Sequence, residues 1–291
     1  MAITLRKLDV DDLGAALGAL REWQYEGAPM QLHPGDLGWF HRSGARATAE
    51  AVRTWSRDGR ILAVGFLDGP GLLRLTTAPD ARQDEELARR LVADVVTPEH
   101  DVLPAGKANV EAPMDALVLD LLGENGWDTD EPWTPLRRDL TQQVEDPAAL
   151  ARVRIEEVGP ERAEVFVAVL RAAFDAPTFT VERWREMAAG SPYADARCLV
   201  AHDDQGDAVA AVTVWSAGPG KPGVLEPMGV HPDHRGRGHG RAISVAAAAA
   251  LRRLGSSSAL VCTPNSNVGA VATYELAGFQ KLPEMRDRYR D

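Results

Sequence analysis

Residues 230–241, VHPDHRGRGHGR, constrain this chain more than any other stretch. An apolar run from Val224 to Val230 enters a turn with glycines at alternate positions, Gly236, Gly238 and Gly240. An alanine-rich helix pattern, Ala242–Leu254, follows at once. A strand that turns through glycines into a helix N-terminus aims consecutive backbone N–H groups and the positive end of the helix dipole at one place, which suits an anion. Glycine lets a phosphate approach the backbone closely. Arg235, Arg237 and Arg241 add charge-assisted donors, and His239 lies in the same turn. The pattern predicts a pyrophosphate cradle. Its spacing matches neither the P-loop G-x-x-x-x-G-K-S/T nor a G-x-G-x-x-G followed about twenty residues later by an acid.

Composition narrows the ligand. The net charge of −11 argues against nucleic acid, which needs a broad basic face. A basic turn on an acidic protein suits a small polyanion such as a coenzyme. The acidic remainder mildly favours a cationic co-substrate, for example an amine, and serves solubility equally well. No apolar run approaches the ~18–20 residues of a membrane span, and the opening MAITLRKLDVDD lacks the apolar core of a signal peptide, so no membrane partner is expected. Two cysteines, Cys198 and Cys262, make no disulfide framework. They are expected to be buried small hydrophobes, and the cytoplasm is the expected compartment. His231, His234 and His239 invite a metal, but a matching carboxylate or helical spacing is missing from the motif, so none is expected.

The wider motif carries a resemblance. Arg235-x-x-Gly238-x-Gly240 is similar to the acetyl-CoA signature of the GNAT N-acyltransferase superfamily, R/Q-x-x-G-x-G/A. Asn267-x-x-Ala270 and Tyr274-Glu275-x-x-Gly278-Phe279 resemble the second half of that pattern, in the same order and about thirty residues downstream. The resemblance spans residues 152–290. From Val153 the elements read β-α-α-β-β-β-α-β-α-β, with a strand at Val153–Val158, helices at Pro160–Phe174 and Val181–Ala189, strands at Arg197–His202, Ala208–Ser216 and Val224–Val230, the last broken by Pro227, and a final extended stretch at Phe279–Tyr289. This order resembles a GNAT domain throughout.

The first half holds a faded copy. Pro79-Asp80-x-Arg82 can be laid against Pro232-Asp233-x-Arg235, and Gly126-Trp127 echoes Gly278-Phe279. In that alignment Glu85 stands for Gly238 and Leu87 for Gly240, flanked by Asp84 and Glu86, so carboxylates and missing glycines would repel and block a phosphate. The expected architecture is α/β (α+β): two tandem GNAT-like domains, each a mixed, mostly antiparallel sheet flanked by helices. Residues 1–140 would be degenerate, residues 150–291 would bind acetyl-CoA, and Thr141–Ala149 would link them. The tandem layout resembles that of mycothiol synthases, though no residue specifies their substrate.

The resemblance also implies roles. Met228, Gly229 and Val230 would pair with the pantetheine arm, with Gly229 at a bulge or a close backbone approach. Arg235, Gly236, Arg237, Gly238, His239, Gly240 and Arg241 would hold the pyrophosphate. Asn267 would contact the coenzyme, cap a helix, or both. Tyr274 stands where the family protonates the leaving sulfur. Glu226 is a candidate base, two residues beyond the family's usual glutamate position but on the same strand face. The implied activity is direct transfer of an acetyl group from acetyl-CoA to a primary amine of a small molecule, by a monomer or homodimer, without a metal. A non-catalytic acyl-CoA-binding regulatory module and a protein acetyltransferase remain open.

Overall fold

The computed structural model describes residues 2–144 and 146–291. In chain order the elements are β1 (Thr4–Lys7), α1 (Leu13–Glu22), α2 (Pro34–Phe40), α3 (Ala45–Ala51), β2 (Val52–Arg57), β3 (Arg60–Leu67), β4 (Leu72–Thr77), α4 (Glu85–Val96), β5 (Ala108–Glu111), α5 (Leu117–Glu124), β6 (Asp128–Asp139), α6 (Pro147–Leu150), β7 (Arg154–Glu157), α7 (Ala163–Phe174), α8 (Val181–Ala189), β8 (Ala196–His202), β9 (Ala208–Ser216), β10 (Gly223–Val230), α9 (His239–Arg253), β11 (Ser258–Pro264), α10 (Val268–Leu276), β12 (Gln280–Lys281) and β13 (Met285–Arg290).

The chain packs into two units that are not contiguous in sequence. One holds residues 2–33, Ala45–Trp133 and Glu284–Asp291. The other holds Pro34–Gly44 and Thr134–Pro283. Three segments therefore leave the halves in which they were synthesised: α2 and the later part of β6, from Thr134, belong to the second unit, and β13, read from sequence as the closing stretch of the second domain, belongs to the first.

Both units use one strand plan. In the first, β1, β2, β3 and β4 pair antiparallel in sequence order, and β4 then runs parallel to β5. In the second, β7, β8, β9 and β10 pair antiparallel, and β10 then runs parallel to β11. This repetition is the structural form of the sequence duplication. In the first unit β13 lies antiparallel to β5 on one side and to residues 128–133 of β6 on the other. In the second, the later residues of β6 neighbour β11, and Arg137 and Leu136 pair with β12.

Helix α9 supports the site and shows why its sequence is rich in alanine. Ile243, Val245, Ala247, Ala248 and Leu251 are fully buried against Val212, Val214, Leu225 and Val261, and small residues let the helix axis approach the sheet. Burying Ile243 or Leu251 contributes roughly 1.5–3 kcal/mol each. The helix stops in a glycine cap: Gly255 has φ +85°, its N–H donates to Arg252, and the Ser256 N–H donates to Leu251. It starts at His239, three residues before the sequence reading, because Gly238 in the left-handed region already turns the backbone into the helix.

Candidate functional site

Strands β10 and β11 pair only at Gly223–Ala259 and Val224–Leu260. Beyond that point β10 pairs with β9 alone, so the other edge of Leu225–Val230 has no strand partner among the described residues, although the Glu226 carbonyl accepts from Trp215 Nε1 and the Val230 carbonyl from Arg235. The register to β9 shifts between Leu225 and Met228, a bulge formed at Glu226-Pro227, so the proline bends the strand without ending it. His231 donates its N–H to Val209 of β9. By alternation, Gly229 faces β9 as well, and Met228 and Val230 turn their backbone groups toward the open edge. Gly229 is therefore not the bulge residue. Its role is close approach: a Cβ there would sit 2.6 Å from the Ala173 Cβ and 2.9 Å from Phe174 Cε2, at the end of α7.

Residues Pro232–His234 form a short 3-10 turn, and Pro79–Ala81 form its counterpart in the first unit. Gly236 and Gly238 then take φ +76° and +88°, with no atom near a notional Cβ. At the start of α9 this leaves open backbone N–H groups on the helix dipole axis, as an anion site needs. Gly240 differs. A Cβ there would lie 2.8 Å from Thr273 Cγ2 on α10, so this glycine sets helix packing as well as access.

These elements surround a cavity of about 850 Å³. Met228, Gly229, Val230, Arg235, Gly236, Gly238, His239, Gly240, Arg241 and Asn267 all line it, joined by Phe174 and Thr273. Arg237 is exposed at the tip and is not part of the wall. Arg235 donates to the backbone oxygens of Val230 (3.3 Å) and Ala173 (3.0 Å), tying the turn to β10 and α7. Arg241 is held by Asp146 (2.7 Å), whose other carboxylate oxygen caps α6; the Ala149 N–H and Arg241 keep that carboxyl below its usual range. Asn267 caps α10, accepting from the Ala270 N–H at 3.2 Å.

Tyr274 and Glu226 lie outside that wall. Tyr274 is buried, 5% exposed, and packs on Phe279 with ring centroids 5.7 Å apart. Burial raises its hydroxyl pKa well above the usual tyrosine value, and the nearby Glu226 and Cys262 raise it further. The structure thus brings Tyr274 and Glu226 within electrostatic reach, with the phenol held protonated. Cys198 is fully buried, and burial raises its thiol pKa; Cys262 is only half-buried.

Two features of this unit, neither of them in the cavity wall, were not legible in the motif. One is α2. Trp39 packs on Phe179 (5.1 Å), His41 lies against Gly190, and the ring of Trp215 occupies the space beside Gly38. Burial lowers the His41 pKa, opposed by Glu186. The other is Asp203, in the β8–β9 turn, which stands 3.7 Å from His234 and so supplies a carboxylate that the motif lacks.

In the first unit the corresponding helix start is satisfied by the protein itself. Asp84, not Glu85, is the N-cap of α4: it accepts from the Leu87 N–H at 3.0 Å and pairs with Arg57. That backbone bond, then Arg57, holds the Asp84 carboxyl below its usual range. Arg82, the counterpart of Arg235, is buried and donates to Asp115, Tyr25 and Gln31. The space lined by Thr77, Arg82, Leu87 and Ala116 has no room for a water molecule.

A scan against protein families matches residues 166–279 to the Acetyltransferase (GNAT) family. Residues 166–279 form a GNAT acetyltransferase domain. Solved structures carry the same fold over nearly the whole chain. A GCN5-related N-acetyltransferase from Sphaerobacter thermophilus is 19% identical with a TM-score of 0.60, over 99% of this chain and 95% of that one. A GNAT-family acetyltransferase from Colwellia psychrerythraea is 14% identical with a TM-score of 0.62, over all of both chains. A tandem GNAT protein from the clavulanic acid biosynthesis pathway is 15% identical with a TM-score of 0.59, over 99% and 97%. A search of curated proteins gives no match. In the GNAT domain here the splayed β10, the glycine turn and the start of α9 are the elements that enclose the cavity. No helix among the described residues is long and apolar enough to cross a membrane.

Proposed function

We propose that the GNAT domain transfers an acetyl group from acetyl-CoA directly to a primary amine of a small molecule, in the cytoplasm. The observation that carries this reading is one continuous cavity that joins an open strand edge to a glycine-built helix N-terminus. The donors fit coenzyme A: backbone N–H groups near Gly236 and Gly238 suit a pyrophosphate, and the open edge at Met228 and Val230 suits an amide-bearing arm. When bound, acetyl-CoA supplies the activated acyl group. The chain's residues do the rest. A backbone N–H on the open edge of β10 polarises the acyl carbonyl. Glu226 takes the amine proton, directly or through water, and Tyr274, kept protonated by burial, is the donor to the departing sulfur. The α2 segment, with Trp39 on Phe179 and His41 against Gly190, packs on the loop and helix that follow Phe174, a residue of the cavity wall.

The first unit binds no coenzyme in this reading, because Asp84 already occupies its helix N-terminus and no space remains there. The test is the full chain with acetyl-CoA and a panel of small amines, with released thiol as readout and Gly238→Leu as the blocked control. Thiol release that requires both an amine and Gly238 supports the reading. Saturable acetyl-CoA binding without turnover of any amine, or with turnover of peptide lysines alone, overturns it in favour of a binding module or a protein acetyltransferase.

A further inference from the structure

Asp203, His234 and His239 bring a carboxylate and two imidazoles together, their ligand atoms all within 4.8 Å of one another. We propose that they bind a divalent transition-metal ion of the zinc class beside the glycine turn. Asp203 is preset for this. Its Oδ1 accepts the N–H groups of Gln205 and Asp207, both at 3.0 Å, which fixes the carboxylate and leaves Oδ2 facing His234 Nδ1 at 3.7 Å. That distance is too long for a hydrogen bond and close to the ligand spacing around a tetrahedral ion with bonds near ~2.0–2.1 Å. His234 Nδ1 is buried and makes no hydrogen bond among the described residues, a position that a buried polar atom does not hold without cause.

His239, the first residue of α9, is 8% exposed, and its ring centroid lies 6.2 Å from that of His234. His231 packs edge-on against His234 at 5.5 Å and limits its rotation. Two imidazoles and one carboxylate form the donor set of an open zinc site, with a fourth position for water or an anionic oxygen. Because His234 and His239 also line the cavity, that position faces the space beside the turn. The two histidines bracket Gly236 and Gly238, so the ion would pin both ends of the glycine loop to the β8–β9 turn. This site stands on its own residues and does not depend on the coenzyme reading.

The test uses the full chain, stripped with a chelator and titrated with Zn2+ alone by calorimetry. One equivalent per chain is expected. Removing one of three protein ligands, by Asp203→Asn, His234→Gln or His239→Gln, is expected to weaken binding by about 100-fold or more, and His100→Gln, at a histidine of the first unit that pairs with Asp94, to leave it unchanged. Asp203→Asn keeps an oxygen for the turn, and far-UV dichroism confirms that each variant is folded, so loss of affinity is read on a folded chain. Substitution with Co2+ is expected to give the intense visible bands of a low-coordinate site. The absence of saturable Zn2+ binding, or an affinity within about two-fold of the parent in Asp203→Asn or His234→Gln, overturns the proposal.

Discussion

Gly240→Ala separates packing from ligand access. The new Cβ would lie 2.8 Å from Thr273 Cγ2. Thr273 cannot swing away without loss, because its Oγ1 donates to the Gly269 carbonyl at 2.8 Å. Overpacking of this kind costs about 1–3 kcal/mol. Replacing glycine by alanine inside a helix returns about 0.8–1 kcal/mol. The expected net effect on α9 is a loss of roughly 0–2 kcal/mol. Thr273→Ser removes Cγ2 and keeps the hydroxyl, so in that background Gly240→Ala is expected to stabilise α9 by up to about 1 kcal/mol. The coupling between the two substitutions is then about 1–3 kcal/mol. Native-state hydrogen exchange on peptides from α9 and α10 reads each corner of this cycle locally, without requiring the two units to unfold together. Equal effects of Gly240→Ala in the two backgrounds, within about 0.5 kcal/mol, would refute the contact argument and return Gly240 to the simple access role read from sequence.

Tyr274→Phe is expected to lower kcat by roughly 10²–10⁴-fold with little change in acetyl-CoA affinity, and Glu226→Gln to depress the rate near neutral pH; normal turnover by both would show that positioning alone carries the reaction. Calorimetry of the full chain is expected to give one acetyl-CoA per chain, and two equivalent sites would refute the asymmetry between the units. Burial, then Glu111 and Asp130, raises the Asp287 carboxyl in the first unit to about 7, against Arg74. A pKa raised on folding stabilises below the unfolded value near ~3.9, and that advantage is lost as pH climbs through about 7. Asp287→Asn is therefore expected to raise Tm more at pH 8 than at pH 4, and an equal rise at both would show that the charged form is not what strains the fold.

Local signals carried much of the second unit. Helix α8, Val181–Ala189, and strand β9, Ala208–Ser216, agree with the sequence reading to the residue, because a Thr180 cap and the turn before Ala208 mark their ends. The glycine turn was legible because only glycine holds the left-handed angles of residues 236 and 238 without strain. What the sequence hid was partnership across distance. Nothing near Arg241 announces Asp146, and nothing near His234 announces Asp203. Gly229 suited either a bulge or a close backbone approach by its residue type; the bulge formed at Glu226-Pro227, and the close approach of α7 takes the space at Gly229. The position of α2 depends on the packing of Trp39 and Trp215, which no periodicity records.

The exchange of segments has a consequence for the order in which this protein can be made. β13 lies between β5 and β6, so the first unit cannot close its sheet until residues 284–291 leave the ribosome, after every strand of the second unit. The second unit takes α2 from residues translated long before its own strands. Domain-by-domain folding during synthesis, the usual route for tandem chains, is thus closed to the first unit. Its β5 edge stays unpaired through most of translation, an interval in which chaperone binding or edge-to-edge association would compete with folding. A cut at the sequence midpoint would take a structural element from each side.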